Sequence, residues 1–294
     1  MSKLKQYPAI YKTALKVLNT LNYFDWKFKR NYPKYKPTEH WQHRIQEAIS
    51  SPDNQHIDHV EKAGQIFDDY QLMHNGLKIK LGSYYDYGNS KLLELNKGVH
   101  EPQEEYVFQE VLKHIKAGGT MLELGAYWSF YSMWFKRVVA NSKCYMVEPD
   151  LYKMNFGKLN FELNQMQGRF IQGFIGKNSH SQGLIPVLSV DQIMADNRID
   201  RLSILHADIQ GFEYEMLEGA TTLLTKQQAD YIFISTHSNQ VHTACKNMLL
   251  QYGYHIFADA NLDESYAWDG LLVARSENAS EVPVKIILRS STTR

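Results

Sequence analysis

The chain lacks most of the features that give a protein's work away quickly. Only two of its 294 residues are cysteine, Cys144 and Cys245. That is too few for a disulfide framework, and the sequence predicts two reduced, buried thiols. No stretch approaches the ~18 unbroken apolar residues of a membrane span, and the N-terminus has no apolar core of a secretion signal, so a cytoplasmic protein with no membrane span is expected. Lysine plus arginine total 32 and aspartate plus glutamate total 32, which leaves no bulk field to draw the molecule onto nucleic acid. One local imbalance exists, with Lys3, Lys5, Lys12, Lys16, Lys27, Lys29, Arg30, Lys34 and Lys36 set against Asp25 alone. It reads as a solvated helix face ahead of an anionic docking patch. Internal repeats and low-complexity tracts are absent. So is the motif G-x-G-x-x-G: Gly125 is followed by Ala126, Tyr127, Trp128 and Ser129. Without that glycine path a dinucleotide's pyrophosphate has no seat on a helix N-terminus.

What is present is an alternation of strand-like and helix-like segments. An apolar run over 120–126 ends in Glu123 and Gly125, a segment over 128–139 has helical spacing, and a second apolar run ends in Glu148-Pro149. This is half of a doubly wound nucleotide fold. Further helices are predicted over 103–116, 151–163, 190–195, 212–224 and 241–252. Strands are predicted over 169–174, 203–207, 231–235, 254–258 and 271–274. Before residue 73 the spacing predicts helices over 7–28, 38–50 and 59–72. His74-Asn75-Gly76 then introduces a strand over 77–81, expected to pair with residues near 84–87. The domains expected are a helical N-terminal extension over 1–72, a main domain over 73–276 with its preceding hairpin and helix, and a strand or frayed tail over 277–294.

Ligands of such sheets sit beyond the strands' carboxyl ends, so the residues there are the functional candidates. Gly125 lets a ligand approach the backbone where a Cβ would collide, with Ala126 beside it in the cofactor site; Glu148 offers two oxygens to a ribose diol, and Glu123, Ile175 and Asp208 close the same crevice. Tyr127 and Trp128, at the turn, are placed to line it. These acids repel phosphate and attract a cation, and S-adenosylmethionine is a cationic nucleoside without phosphate. In Asp208-Ile209-Gln210-Gly211-Phe212-Glu213, a strand acid is followed by a glycine turn and a glutamate opening a helix. His237, at the end of the next strand, has an intrinsic pKa suited to taking a hydroxyl proton. Asp208, His237 and Glu213 are therefore the catalytic candidates, while His206, inside its strand, reads as a core histidine. His56 with His59, or His237 with His242, lack further ligands at diagnostic spacing, so no metal centre is expected, although a loosely held divalent ion at Asp208 stays open.

Leu122-Glu123-Leu124-Gly125-Ala126, Val147-Glu148-Pro149 and, above all, Leu205-His206-Ala207-Asp208-Ile209-Gln210-Gly211-Phe212-Glu213 resemble the FkbM-type S-adenosylmethionine-dependent methyltransferases over roughly residues 97–275. The resemblance implies an α/β fold: a Rossmann-like, seven-stranded class I methyltransferase sheet, last strand antiparallel, with helices on both faces. It also implies O-methylation of hydroxyls on sugars or secondary metabolites, so the partner expected is a small-molecule or glycan acceptor. By position, Glu123 and Gly125 correspond to the cofactor loop, Glu148 to the ribose ligand, and Asp208, Gly211 and Glu213 to the signature acids and turn. Ser129 departs from the pattern, standing where a second glycine is usual. That departure motivates the alternative of a catalytically inactive cofactor-binding or scaffold protein. Acceptor contacts are expected from Tyr84-Tyr85-Asp86-Tyr87, His100-Glu101-Pro102 and the N-terminal helices.

Overall fold

The computed structural model describes residues 7–290; Lys3, Lys5 and the last four residues of the expected tail lie outside them. Its centre is a seven-stranded sheet. In chain order the strands are β3 (Thr120–Leu124), β4 (Lys143–Val147), β5 (Arg169–Ile171), β8 (Leu202–Ala207), β9 (Ala229–Thr236), β10 (His255–Ala260) and β11 (Gly270–Arg275), in the spatial order β10-β11-β9-β8-β3-β4-β5. β9, β8, β3, β4 and β5 run parallel, and β11 is inserted antiparallel between β9 and β10.

The alternation of side chains splits the core in two. Met121, Met146, Ile204 and Phe233 pack on one face with α5 (Pro102–Leu112) and α6 (Phe130–Val138). Leu122, Leu124, Leu205, Ile232 and Ile234 pack on the other face with α8 (Val190–Asn197), α9 (Glu213–Glu218), α10 (Thr221–Thr225) and α11 (Asn239–Gln251). Strands buried on both faces read as continuous apolar runs, which is why the sequence showed them clearly. Beyond β4, α7 (Leu151–Leu163) starts on Asp150, whose side chain accepts from the Tyr152 N–H. A two-stranded parallel pair, β6 (Phe174–Ile175) with β7 (Val187–Leu188), flanks the sheet, so the run expected as one strand over 169–174 is broken at Gln172-Gly173.

The region before residue 100 departs most from expectation. The helix over 7–28 is two helices, α1 (Pro8–Thr20) and α2 (Tyr23–Asn31), broken where Asn22 adopts φ 50°. α3 (Glu39–Ser50) begins at Thr38, whose hydroxyl caps it as the sequence suggested. No helix occupies 59–72. That segment runs through turns into β1 (Tyr70–Leu72), which is the antiparallel partner of β2 (Lys78–Lys80). The residues near 84–87, expected to pair with β2, instead lead into α4 (Asp86–Leu95). Side-chain amides do part of the work of a third strand: on α7, Asn160 accepts from the Lys80 N–H at 2.8 Å and Asn164 from the Lys78 N–H at 3.0 Å. The expected helix over 212–224 is likewise split, at Gly219-Ala220, into α9 and α10. Residues 277–290 form no strand and are pinned rather than frayed, through an Arg289–Glu47 ion pair and a hydrogen bond from Ile287 N–H to Asp53. Cys144 and Cys245 are buried and unpaired.

Ser129 shows how the turn after β3 is built without its usual second glycine. It is fully buried at φ 60°, in the left-handed region that glycine occupies at no cost. Room for its side chain comes from Gly157 in the middle of α7. A Cβ there would lie 2.6 Å from Ser129 Oγ and 2.8 Å from Tyr127 O. Glycine to alanine inside a helix ordinarily stabilises by about 1 kcal/mol. Gly157→Ala is expected to do the opposite, losing about 1–3 kcal/mol to overpacking, read as a lower unfolding midpoint in urea.

Candidate active site

One large cavity of about 570 Å³ opens at the carboxyl ends of the parallel strands. All seven residues read from the sequence as cofactor ligands line it: Glu123, Gly125, Ala126, Tyr127, Glu148, Ile175 and Asp208. Gly125, at φ 74°, is irreplaceable there, because a Cβ would sit 1.8 Å from the Asp208 carbonyl oxygen. The turns after β3 and β8 are thus pressed together at this point. Glu148 is buried and turned into the cavity. Its Oε2 accepts from the Tyr127 N–H at 3.2 Å and its Oε1 from the Asp150 N–H at 2.8 Å, which fixes the carboxylate and leaves lone pairs for a ligand. Burial raises its pKa.

Glu123 lies at the floor, where its Oε2 accepts from the Ser132 N–H at 3.2 Å. Burial lifts its carboxyl to about 7, against the pull of His206 and Ser132. His206 is paired with Glu123 across the strands and is the buried histidine the sequence suggested. It also lines the cavity, and Glu104 of α5 holds it with an Nε2–Oε1 distance of 2.6 Å. The other oxygen of Glu104 accepts from Ser235 at 3.0 Å.

The catalytic candidates converge beside this floor. His237 Nδ1 donates to Glu213 Oε1 at 2.8 Å, and the same oxygen accepts from the Gly211 N–H, so the buried glutamate fixes both the imidazole and the turn. His237 Nε2 faces Asp208 and Asp269, each at 3.3 Å, and the side-chain amide of Gln210 at 2.7 Å. Burial alone would lower the His237 pKa, but hydrogen bonds to Asp208 and Glu213 and the charge of Asp269 raise it to about 10. The carboxylates around the ring thus favour its protonated form, against the free base its intrinsic pKa suggested. Asp269 is lifted to about 7 by burial and by the nearby Asp208. Asp208, His237 and Asp269 offer ligand atoms within 4.8 Å of one another, the one set of that kind among the described residues and a feasible seat for a divalent ion. Of the three catalytic candidates only Asp208 lines the cavity; His237 and Glu213 stand behind it.

Sequence reasoning overlooked Asp269. It searched strand carboxyl ends, whereas β11 runs against its neighbours, so the residue just before its first position reaches the same edge. The outer wall is aromatic: Tyr84 stacks on Trp128 with centroids 4.4 Å apart, and Tyr127 meets Tyr84 edge-on at 5.0 Å. Of the loop residues named for an acceptor, Tyr84, Tyr85, His100 and Glu101 line the cavity, while Tyr87 packs against Phe28 and Tyr35. His100 is held to about 10: its burial is outweighed by Glu101 and Glu105.

A parallel sheet with one antiparallel insertion, a glycine turn after its first parallel strand and an acid closing the next define a class I S-adenosylmethionine-dependent methyltransferase fold. A family model described as the methyltransferase FkbM domain matches residues 107–256, and the chain belongs to that family. Its cofactor is S-adenosylmethionine, and the cavity suits one: acids without a phosphate cradle, and a backbone approach at Gly125 that a Cβ would close. Among solved structures, the chain is similar to a precorrin-6y C5,15-methyltransferase from Geobacter metallireducens, at 10% identity over 59% of this chain and 89% of that one, TM-score 0.41. It is similar also to M. capricolum TrmK with S-adenosyl-homocysteine, at 13% identity over 61% and 71%, TM-score 0.41. No curated protein matches it.

His100 and His237 both gain protons on folding, since their folded pKa values lie above the ordinary 6.5. Their stabilisation is complete below about pH 6.5 and is lost as pH rises toward 10. Unfolding midpoints measured from pH 6 to 10 are expected to fall across that window, and to fall less steeply in His237→Gln.

Proposed function

We propose that the chain transfers a methyl group to a hydroxyl of a sugar, glycan or related secondary metabolite. The observation that carries this reading is the meeting of Asp208, at the cavity wall, with the aromatic face made by Tyr84, Tyr127 and Trp128. Aromatic faces suit the apolar faces of sugar rings, and a carboxylate beside them suits a hydroxyl. Bound in the cavity, S-adenosylmethionine supplies an electrophilic methyl on a cationic sulfur. Glu148 would hold the ribose diol, Ile175 would offer an apolar wall, and the main chain at Gly125 would let the cofactor approach closely. Asp208 would receive the proton that the acceptor hydroxyl sheds as its oxygen bonds to the methyl carbon, while the carbon–sulfur bond breaks and its electron pair stays on the sulfur. His237 and Glu213 position Asp208 without touching the substrate, and much of the rate comes from holding oxygen, carbon and sulfur in line.

Methyl transfer from labelled S-adenosylmethionine to a panel of sugars and hydroxylated metabolites tests this. Asp208→Asn is expected to lower kcat by about 10²-fold or more. His237→Gln is expected to lower it less, with cofactor affinity unchanged. A wild-type rate in Asp208→Asn removes Asp208 as the base. Tight cofactor binding with no transfer to any acceptor supports instead the inactive binding protein that Ser129 suggests.

Glu123 gives a second expectation. A cationic ligand favours its carboxylate, so below pH 7 binding must first remove a proton. Calorimetry should find S-adenosylmethionine bound about tenfold more tightly at pH 8 than at pH 6. Glu123→Gln should flatten that dependence.

A further inference from the structure

Three strands bring three ligand atoms to one point at the edge of the sheet. Asp208 follows β8, His237 follows β9, and Asp269 precedes β11, which pairs with β9 so that Gly270 lies opposite Thr236. From His237 Nε2, Asp208 Oδ1 and Asp269 Oδ1 each stand 3.3 Å away. Ligands at neighbouring corners of an octahedron are about 1.4 bond lengths apart, which gives about 2.9 Å for the ~2.1 Å bonds of magnesium and about 3.4 Å for the ~2.4 Å bonds of calcium. The spacing at His237 falls inside that range, and the three atoms lie within 4.8 Å of one another, so one divalent ion can touch them all. Side-chain exposures of 16% for His237, 23% for Asp208 and 24% for Asp269 leave an ion a way in.

The imidazole is oriented as a metal ligand is oriented. Its Nδ1 donates to Glu213 Oε1 at 2.8 Å, and that fully buried carboxylate is itself fixed by the Gly211 N–H. A carboxylate behind a histidine is the usual support of a metal site, because it sets the ring's tautomer and direction. Nε2 is thereby turned on two carboxylate oxygens, three acceptors around one point that only a proton or a metal ion between them can reconcile. Gln210 adds a fourth group: its side-chain amide stands 2.7 Å from Nε2 and 3.1 Å from Asp208 Oδ1, and a half-turn presents its carbonyl oxygen instead. The guanidinium of Arg44 also acts on Asp269, but its hydrogen bonds go to the carbonyls of His100 and Tyr266. We infer that Asp208, His237 and Asp269 hold a divalent first-row cation of the manganese class at the cavity wall, where it binds the acceptor's hydroxyl oxygen. Two carboxylates and one imidazole suit such an ion, and three protein ligands leave positions of its octahedron open. The ion makes the bound hydroxyl more acidic, so its proton passes more readily to the free oxygen of Asp208 as the oxygen takes the methyl carbon from sulfur. The inference deepens the methyl-transfer reading and rests on it for the acceptor, whereas the seat of the ion does not depend on that reading.

Titration of the full chain, first stripped with EDTA and then freed of chelator, with Mn²⁺ alone tests it, the free ion being followed by its electron paramagnetic resonance signal. The wild type is expected to take up one Mn²⁺ per chain, and water-proton relaxation is expected to show that the bound ion keeps exchangeable waters. Asp269→Ala and, independently, His237→Gln are expected to bind Mn²⁺ at least about tenfold more weakly. S-adenosylmethionine affinity, measured in each variant without metal, should stay at the wild-type value, which shows that the variants are folded and separates loss of the ion from failure of the cofactor reading. With an acceptor that turns over, EDTA is expected to lower the rate at least about tenfold and Mn²⁺ to restore it. No uptake of Mn²⁺ by the wild type, or equal uptake by both variants, overturns the site. Uptake by the wild type together with a rate indifferent to EDTA and Mn²⁺ overturns the ion's contact with the acceptor.

Discussion

The site depends on charge buried beneath the strand ends and paired there. An isolated ion in a protein interior is too costly to keep, so each must find a counter-ion or a set of donors. α5 and the residue just before it supply three acids close in sequence, and they reach in different directions. Glu105, fully buried, accepts from the His100 and Glu101 N–H groups, ion-pairs with His100 and lies 2.8 Å from His74 Nε2, contacts that hold its own pKa well below the usual carboxylate range. Glu104 takes His206 and Ser235, and Glu101 takes the Tyr131 hydroxyl and His100. Through His74 this network reaches the hairpin of β1 and β2, and through His100, whose carbonyl accepts from Arg44, it reaches α3. The segments before residue 100 are thereby fastened to the methyltransferase sheet at the cavity wall rather than appended to it.

The sheet was legible because its strands are covered on both faces and bounded by acids and glycines. Glu123, Gly125, Glu148 and Asp208 fell where the carboxyl ends of parallel strands must fall. The segment over 59–72 misled because its apolar residues sit at helical intervals while the chain turns repeatedly; tertiary pairing with β2 overrode local spacing. Asp269 was invisible for a different reason: only the antiparallel course of β11 brings it to His237. The protonation of His237 was equally beyond reach, since it depends on three carboxylates from separate elements meeting one ring.

Those carboxylates also divide the labour at the site. Glu213 has no view of the cavity, yet its Oε1 fixes both the Gly211 turn and His237. Asp208 alone of the group lines the cavity. A signature that looks in sequence like a set of reacting groups is, in space, one residue at the cavity wall and two behind it.

The accommodation between Ser129 and Gly157 has a consequence for anyone altering this protein. The two positions, one in the turn after β3 and the other inside α7, share one small volume, and the hydroxymethyl of one occupies the space the other has given up. A design procedure that improves α7 residue by residue would select against Gly157. A substitution at either position therefore has to be weighed with the residue at the other.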